Sequence, residues 1–157
     1  MMKDITWHDR WNDVIRDVLF PDEVLKELML IPATNRKNIK TFIEKYFVED
    51  ALPDELVTDE DVRILYYETE GSSIGHPNII QKYLEFDIFV KNASLYNATN
   101  DRLQRRDKLI LARLKHLLLS ETYVCGLRFA YTDDYHLGAK TVGYRRYHAV
   151  FSYKQTY

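Results

Sequence analysis

Residues 82–91, KYLEFDIFVK, change character at every step: Leu84, Phe86, Ile88 and Val90 fall on one face of an extended chain, and Tyr83, Glu85, Asp87 and Phe89 on the other. A period of two marks a β-strand, whose successive side chains point to opposite sides. Residues 62–68, VRILYYE, have the same period, so the middle of the chain holds a strand pair. Between them, residues 69–79, TEGSSIGHPNI, are rich in Gly, Ser, Pro and Asn and too long for a two-residue turn. They predict an extended hairpin loop.

Toward the C-terminus, LYNATND at 95–101 offers turn chemistry and a helix N-cap. A long helix is expected over 101–119, with Leu103, Ile110, Leu111, Leu114, Leu117 and Leu118 on one side. Residues 121–131 and 144–156 are strand-like, joined by TDDYHLGAKTVG, which predicts a second hairpin with a long tip. Toward the N-terminus, Trp11, Val14, Ile15, Val18 and Leu19 recur at helical spacing until Pro21 stops the run. Asp22 and Glu23 open a short helix carrying Val24, Leu25, Leu28 and Met29, and Ile39, Phe42, Ile43 and Tyr46 give a third apolar stripe over 37–48. The acidic stretch 48–61, with Pro53, is expected to be a loop or short helical turn. The expected fold is α+β: N-terminal helices, then β-β-α-β-β, a mainly antiparallel sheet with the long helix packed on one face. Residues 1–157 form one domain in this reading, with a helical region at 1–50 and the sheet core at 60–157.

A chain of 157 residues can bury a substantial core, and 46% hydrophobic against 29% charged residues excludes disorder. The formal charge of −2 gives no general attraction to nucleic acid or an anionic membrane, which points to protein partners. Twelve tyrosines, gathered in strand-like segments, favour contact surfaces where a ring packs and its hydroxyl stays wet. One cysteine and a charged start, MMKDITWHDR, suggest an intracellular protein. No apolar run reaches the roughly 20 residues that cross a bilayer. The glycosylation patterns at Asn92 and Asn97 read as polar loop composition.

No catalytic, cofactor-binding or metal-binding residue emerges. The histidines His8, His76, His116, His136 and His148 are scattered, without the paired spacing of a metalloprotease helix. His76 and His136 are expected in hairpin tips, His116 at a helix edge, and Cys125 as a small core residue in a strand. Glu85 and Asp87 share a strand face with Lys91, a loose echo of a metal-dependent nuclease whose usual spacing they do not match. A solvated or subunit-facing sheet surface explains the alternation better. The glycines build no phosphate-cradling loop. Arg102, Arg105, Arg106, Lys108, Arg113 and Lys115 make the long helix basic; a solvated face, or a face pairing with the acidic 49–61 segment of another copy, is expected over phosphate binding.

The strand pair RILYYETEGSSIGHPNIIQKYLEFDIFVKN, the helix DRLQRRDKLILARLKHLLL and the closing hairpin ending in YHAVFSYK, over residues 60–157, resemble the tail terminator and head-to-tail joining (neck) proteins of tailed bacteriophages. Three short helices precede the sheet here, where that group usually has one. The resemblance implies a structural virion protein, assembled in the host cytoplasm. It would form a homo-oligomeric ring, commonly of about six copies, that caps the tail tube and joins it to neck and connector proteins around a channel for DNA. It implies no cofactor and no membrane. Contacts between subunits or successive rings would come from the two hairpin loops, with Ser72, Ile74, His76, Asn78, Asp134, Tyr135, His136 and Lys140 as candidates. Glu85 and Asp87 are candidate acids lining the bore, where negative charge lets DNA slide. Two other classes fit the same residues: a small regulatory inhibitor docking through its tyrosine-rich sheet, and a metal-dependent nuclease using Asp87.

Overall fold

The alternating segment 82–91 lies in the central strand of a five-stranded sheet in the computed structural model, which describes residues 13–32, 39–49, 60–73, 75, 78–99, 102–138 and 142–156. Three short helices come first. Helix α1 (Val14–Leu19) is π-wound, with Phe20 N donating to Ile15 O at 2.8 Å, and Pro21 follows it. Asp22 caps α2 (Glu23–Leu28) by accepting from Leu25 N at 2.8 Å. This helix closes through Leu30 at φ 57°, with Ile31 N bonded to Lys26 O and Leu30 N to Glu27 O. That is a Schellman ending at a position where glycine is usual. Helix α3 (Ile39–Tyr46) runs directly into β1 (Phe47–Glu49).

Strand β1 pairs in parallel with β2 (Val62–Ser73), which pairs antiparallel with β3 (Ile79–Lys91). A two-stranded hairpin of β4 (Tyr96–Thr99) and β5 (Arg102–Arg105) precedes α4 (Arg106–Leu119). Strands β6 (Phe129–Leu137) and β7 (Tyr144–Thr156) complete the main sheet, in the order β1-β2-β3-β7-β6. The fold is therefore mixed α and β with a mainly antiparallel sheet. Val14, Leu19, Leu25 and Phe47 share one core with Ile110, Leu114 and Leu118 of α4 and with Leu84, Phe86 and Ile88 of β3. The helices cover one face of the sheet, the face the alternation assigns to Leu84, Phe86, Ile88 and Val90.

Four boundaries differ from the sequence expectation, each where a long-range contact outweighs a local signal. Residues 47–49 are a strand and not the end of the third helix and the start of an acidic loop, because Phe47, Val48 and Glu49 pair with Ile64, Leu65 and Tyr66. Three residues are too few to show a period. The long helix begins at Arg106 and not at 101, since Tyr96–Thr99 pairs with Arg102–Arg105. Leu103, assigned to the helix's apolar side, sits in β5 with 75% of its surface exposed. Of the expected 69–79 loop, residues 69–73 and 79 are strand. Gly71 marks a close approach, since a Cβ there would lie 2.4 Å from Gln81 O, and the register shifts between Glu70 and Ser73. The expected tip at 132–143 is half strand, with β6 running to Leu137 past an irregularity between Tyr131 and Asp133.

The segment before β6, expected to be extended, instead turns sharply. Val124 and Leu127 bond each other through both backbone groups, with Cys125 at φ 49° and Gly126 at φ 77° between them. Cys125 is a half-buried turn residue packed against the core, and burial pushes its thiol up.

These boundaries predict a contrast between two leucines that the sequence placed on one helix. Leu114→Ala, at a site with no exposure, is expected to cost about 3 kcal/mol. Leu103→Ala is expected to stay within about 0.5 kcal/mol of wild type. Urea unfolding monitored by circular dichroism measures both.

Candidate functional site

The face of the sheet away from the helices carries a row of side chains set by register: Leu65 on β2 opposite Asp87 on β3, Asp87 opposite His148 on β7, and His148 opposite Tyr135 on β6. Alternation puts Asp87 on this side because Phe86 and Ile88 occupy the core side. Although it faces away from the helices, Asp87 is 1% exposed and His148 3%. Leu65 and Phe89 form a second small apolar cluster here with Val48 and Tyr144. The rings of Tyr135 and Tyr67 lie 5.1 and 6.3 Å from the His148 ring.

The carboxylate oxygens and imidazole nitrogens in this row are paired, while Arg146 Nε is buried without a hydrogen-bond partner. His148 Nδ1 lies 2.7 Å from Asp87 Oδ1 and its Nε2 lies 2.9 Å from Glu85 Oε1. Arg146 Nη2 donates to Asp87 Oδ2 at 2.9 Å, and Thr69 Oγ1 donates to Glu85 Oε2 at 2.8 Å. Burial by itself would push the Asp87 carboxyl up, but hydrogen bonds from His148 and Arg146 outweigh it and hold the group below its ordinary value. Burial likewise opposes charge on His148, and its bonds to Asp87 and Glu85 outweigh that and raise it. Two carboxylates thus face an imidazole and a guanidinium.

This arrangement binds the protein to itself. Both Asp87 oxygens and both His148 nitrogens are engaged, so the imidazole has no free lone pair for a general base. A guanidinium on Asp87 occupies the place a nuclease metal would need, and among the described residues no His, Cys, Asp and Glu cluster is arranged to hold a metal ion. Lys91 is spent elsewhere, 3.5 Å from Asp61. The alternation predicts a solvated or subunit-facing sheet surface; within the chain Asp87 is buried and Glu85 partly so. His148, the group they serve, carries no motif spacing that separates it from the other four histidines. Its signal was available in 144–156, where it alternates in phase with Arg146 and Val150.

Four of the basic residues of α4 and its approach, Arg105, Arg106, Arg113 and Lys115, are engaged within the chain. Arg106 donates to Ser94 O at 2.8 Å and Leu28 O at 2.9 Å. Arg113 forks onto both Asp22 oxygens at 2.6 and 2.8 Å, and its hydrogen bonding holds the Asp22 carboxyl below its usual range. Arg105 pairs with the fully buried Asp107 at 2.7 Å and also reaches His136 Nε2 at 2.7 Å.

Of the candidate contact residues, Ser72 belongs to β2, Asn78 stands in an exposed turn before β3, and Asp134, Tyr135 and His136 belong to β6. Ile74, His76 and Lys140 lie outside the described residues. Asp134 is held internally: it accepts from the hydroxyls of Tyr131 and Tyr147, and Lys115 Nζ lies 3.3 Å away. Burial, then the bond to Asp134, pushes the Tyr147 hydroxyl up to about 12. Tyr135 keeps 44% of its surface exposed. An open groove of about 560 Å³ runs between α2 and α4 beside the β4–β5 hairpin, lined by Val24, Leu28, Leu30, Leu109 and Ala112 among others. It shares no residue with the ionic row.

No family model matches the sequence, and no curated protein matches it as a relative.

The pairing predicts unequal costs for removing the two acids. Asp87→Asn removes the charge and one of the two acceptor oxygens that face the buried His148 and the half-buried Arg146, and is expected to lose about 3 kcal/mol. Glu85→Gln, at the wetter end of the row, is expected to lose about 1 kcal/mol. Equal denaturant midpoints for the two variants would contradict the assignment of Asp87 as the central partner.

Proposed function

We propose that this protein is a structural subunit of the tailed-phage head-to-tail junction, of the tail terminator or tail completion type, working within a ring around the DNA channel and not as an enzyme. The observation that carries the reading is the open sheet. Strand β6 ends it along nine residues, and no described strand pairs with its outer edge. Such an edge is a template for another chain. Of the two acids on this strand, Asp134 is paired with Lys115, while Asp133 stays exposed beside Tyr131, Thr132 and Tyr135. A contact between unlike surfaces of identical copies, repeated by rotation, closes a ring.

Two further features support this reading. The β4–β5 hairpin presents Tyr96 and Leu103 to solvent, apolar side chains suited to a neighbouring surface. Arg106, Arg113 and Lys115 are tied inside the fold, which lowers the number of phosphate contacts that a DNA duplex passing the ring would meet on α4. Partners of such a ring are copies of itself, the tail tube and the neck or connector proteins, in the virion. Asp87, buried and paired, is a poor candidate for a bore-lining acid, and Glu85 bonds inward to His148 and Thr69.

Light scattering across a concentration series, at low and high salt, is expected to give a discrete mass of about six copies. Thr132→Lys, which adds charge at the β6 edge, is expected to return that mass to the monomer. A monomer at every concentration that also fails to cap purified tail tubes would sink the proposal.

A further inference from the structure

The ionic row holds a histidine whose charge is dictated by its neighbours. Asp87 and Glu85 supply one carboxylate oxygen each to the two ring nitrogens, at 2.7 and 2.9 Å. An ionised carboxylate only accepts hydrogen bonds, and a neutral imidazole has only one N–H to donate. Both contacts are hydrogen bonds only when the ring carries two protons, that is, as the imidazolium. We propose that His148 is a charged clasp joining β3 to β7, and that its proton is a pH-sensitive device: losing it breaks one of the two bonds and loosens the outer face of the sheet, including the β6 edge, whose Tyr135 ring lies against His148.

The groups around the ring support this from every described element packed on it. Strand β3 contributes Glu85 and Asp87, β7 contributes Arg146 through Asp87, β2 contributes Tyr67 with Thr69 bonded to Glu85, and β6 contributes Tyr135. The only cation besides His148 in this set is Arg146, and it contacts Asp87 Oδ2 and not Glu85. Deprotonation therefore leaves one anion more than the cations can match, next to a ring that can donate only once. Because the folded value of His148 is raised, its contribution is complete below the unfolded value near 6.5 and is lost as pH rises through the folded value. Asp87 has the opposite sign: its folded value is lowered, so its contribution is present above about 3.8 and is lost as pH falls through the folded value. The clasp is complete between these limits. It does not depend on the phage assignment, since it concerns only contacts within one chain.

Two readouts test it. Nitrogen-15 correlation spectra of the wild-type imidazoles are expected to show one histidine with both nitrogens protonated at about pH 7 and titrating above about pH 6.5, with the signal absent from His148→Gln. The wild-type urea midpoint is expected to fall from about pH 6 to about pH 9, and that of His148→Gln to stay flat. A neutral His148 tautomer at about pH 7 would overturn the proposal, as would the same pH slope in the variant. If the variant does not fold, the wild-type spectrum decides alone, with the resonance assigned through its contacts to Tyr135.

Discussion

Strand β3 has a neighbour on each side and buried side chains on both faces, and the remaining structure follows from that constraint. On one face Leu84, Phe86, Ile88 and Val90 need an apolar cover, which α4 and the N-terminal helices provide. On the other, Asp87 sits between Leu65 and His148 with no route to water. A buried carboxylate without partners costs several kcal/mol, more than many domains can spare. The cross-strand placement of His148 and the reach of Arg146 are thus requirements of the fold. The alternating strand recruits a hydrophobic layer on one side and a charge-balanced layer on the other.

Helix α4 joins the parts of the chain that the sheet does not. Arg106 reaches backbone carbonyls at the end of α2 and in the turn before β4, Arg113 forks onto the α2 cap residue Asp22, and Lys115 meets Asp134 on β6 while lying 4.0 Å over the Tyr131 ring. Planar, multi-donor guanidinium groups suit two of these tasks better than a lysine would. A helix that looks like a basic surface in composition is, in the fold, a set of internal ties. Apolar and tyrosine side chains stay exposed on β6 and on the β4–β5 hairpin.

Long, strongly periodic elements were readable without coordinates. Residues 82–91 and 144–156 are strands, 106–119 is helical, and Asp22 caps a helix where the Pro21-Asp22-Glu23 run indicated. Short elements were not. Strands β1, β4 and β5 contain three or four residues each, below the length at which a period shows, and each exists because of a partner segment. Glycine misled in the 69–79 segment: Gly71 reports backbone packed against Gln81, not a chain reversal. At α2 the reverse held, because Leu30 takes the left-handed ending without the glycine that usually announces it.

The site shows the same division. By itself the sequence determined which residues share a strand face, so Glu85 and Asp87 were legible as neighbours pointing away from the core. It also determined that the chain lacks the spaced ligands of common metal and nucleotide motifs. Only the tertiary structure decided that the two acids meet His148, 61 residues beyond Asp87, and that Asp87 and His148 are buried. Periodicity within a segment follows from local backbone geometry and is written into the sequence. Register between segments distant in the chain depends on how both faces of the whole sheet are covered, and no single segment carries that information.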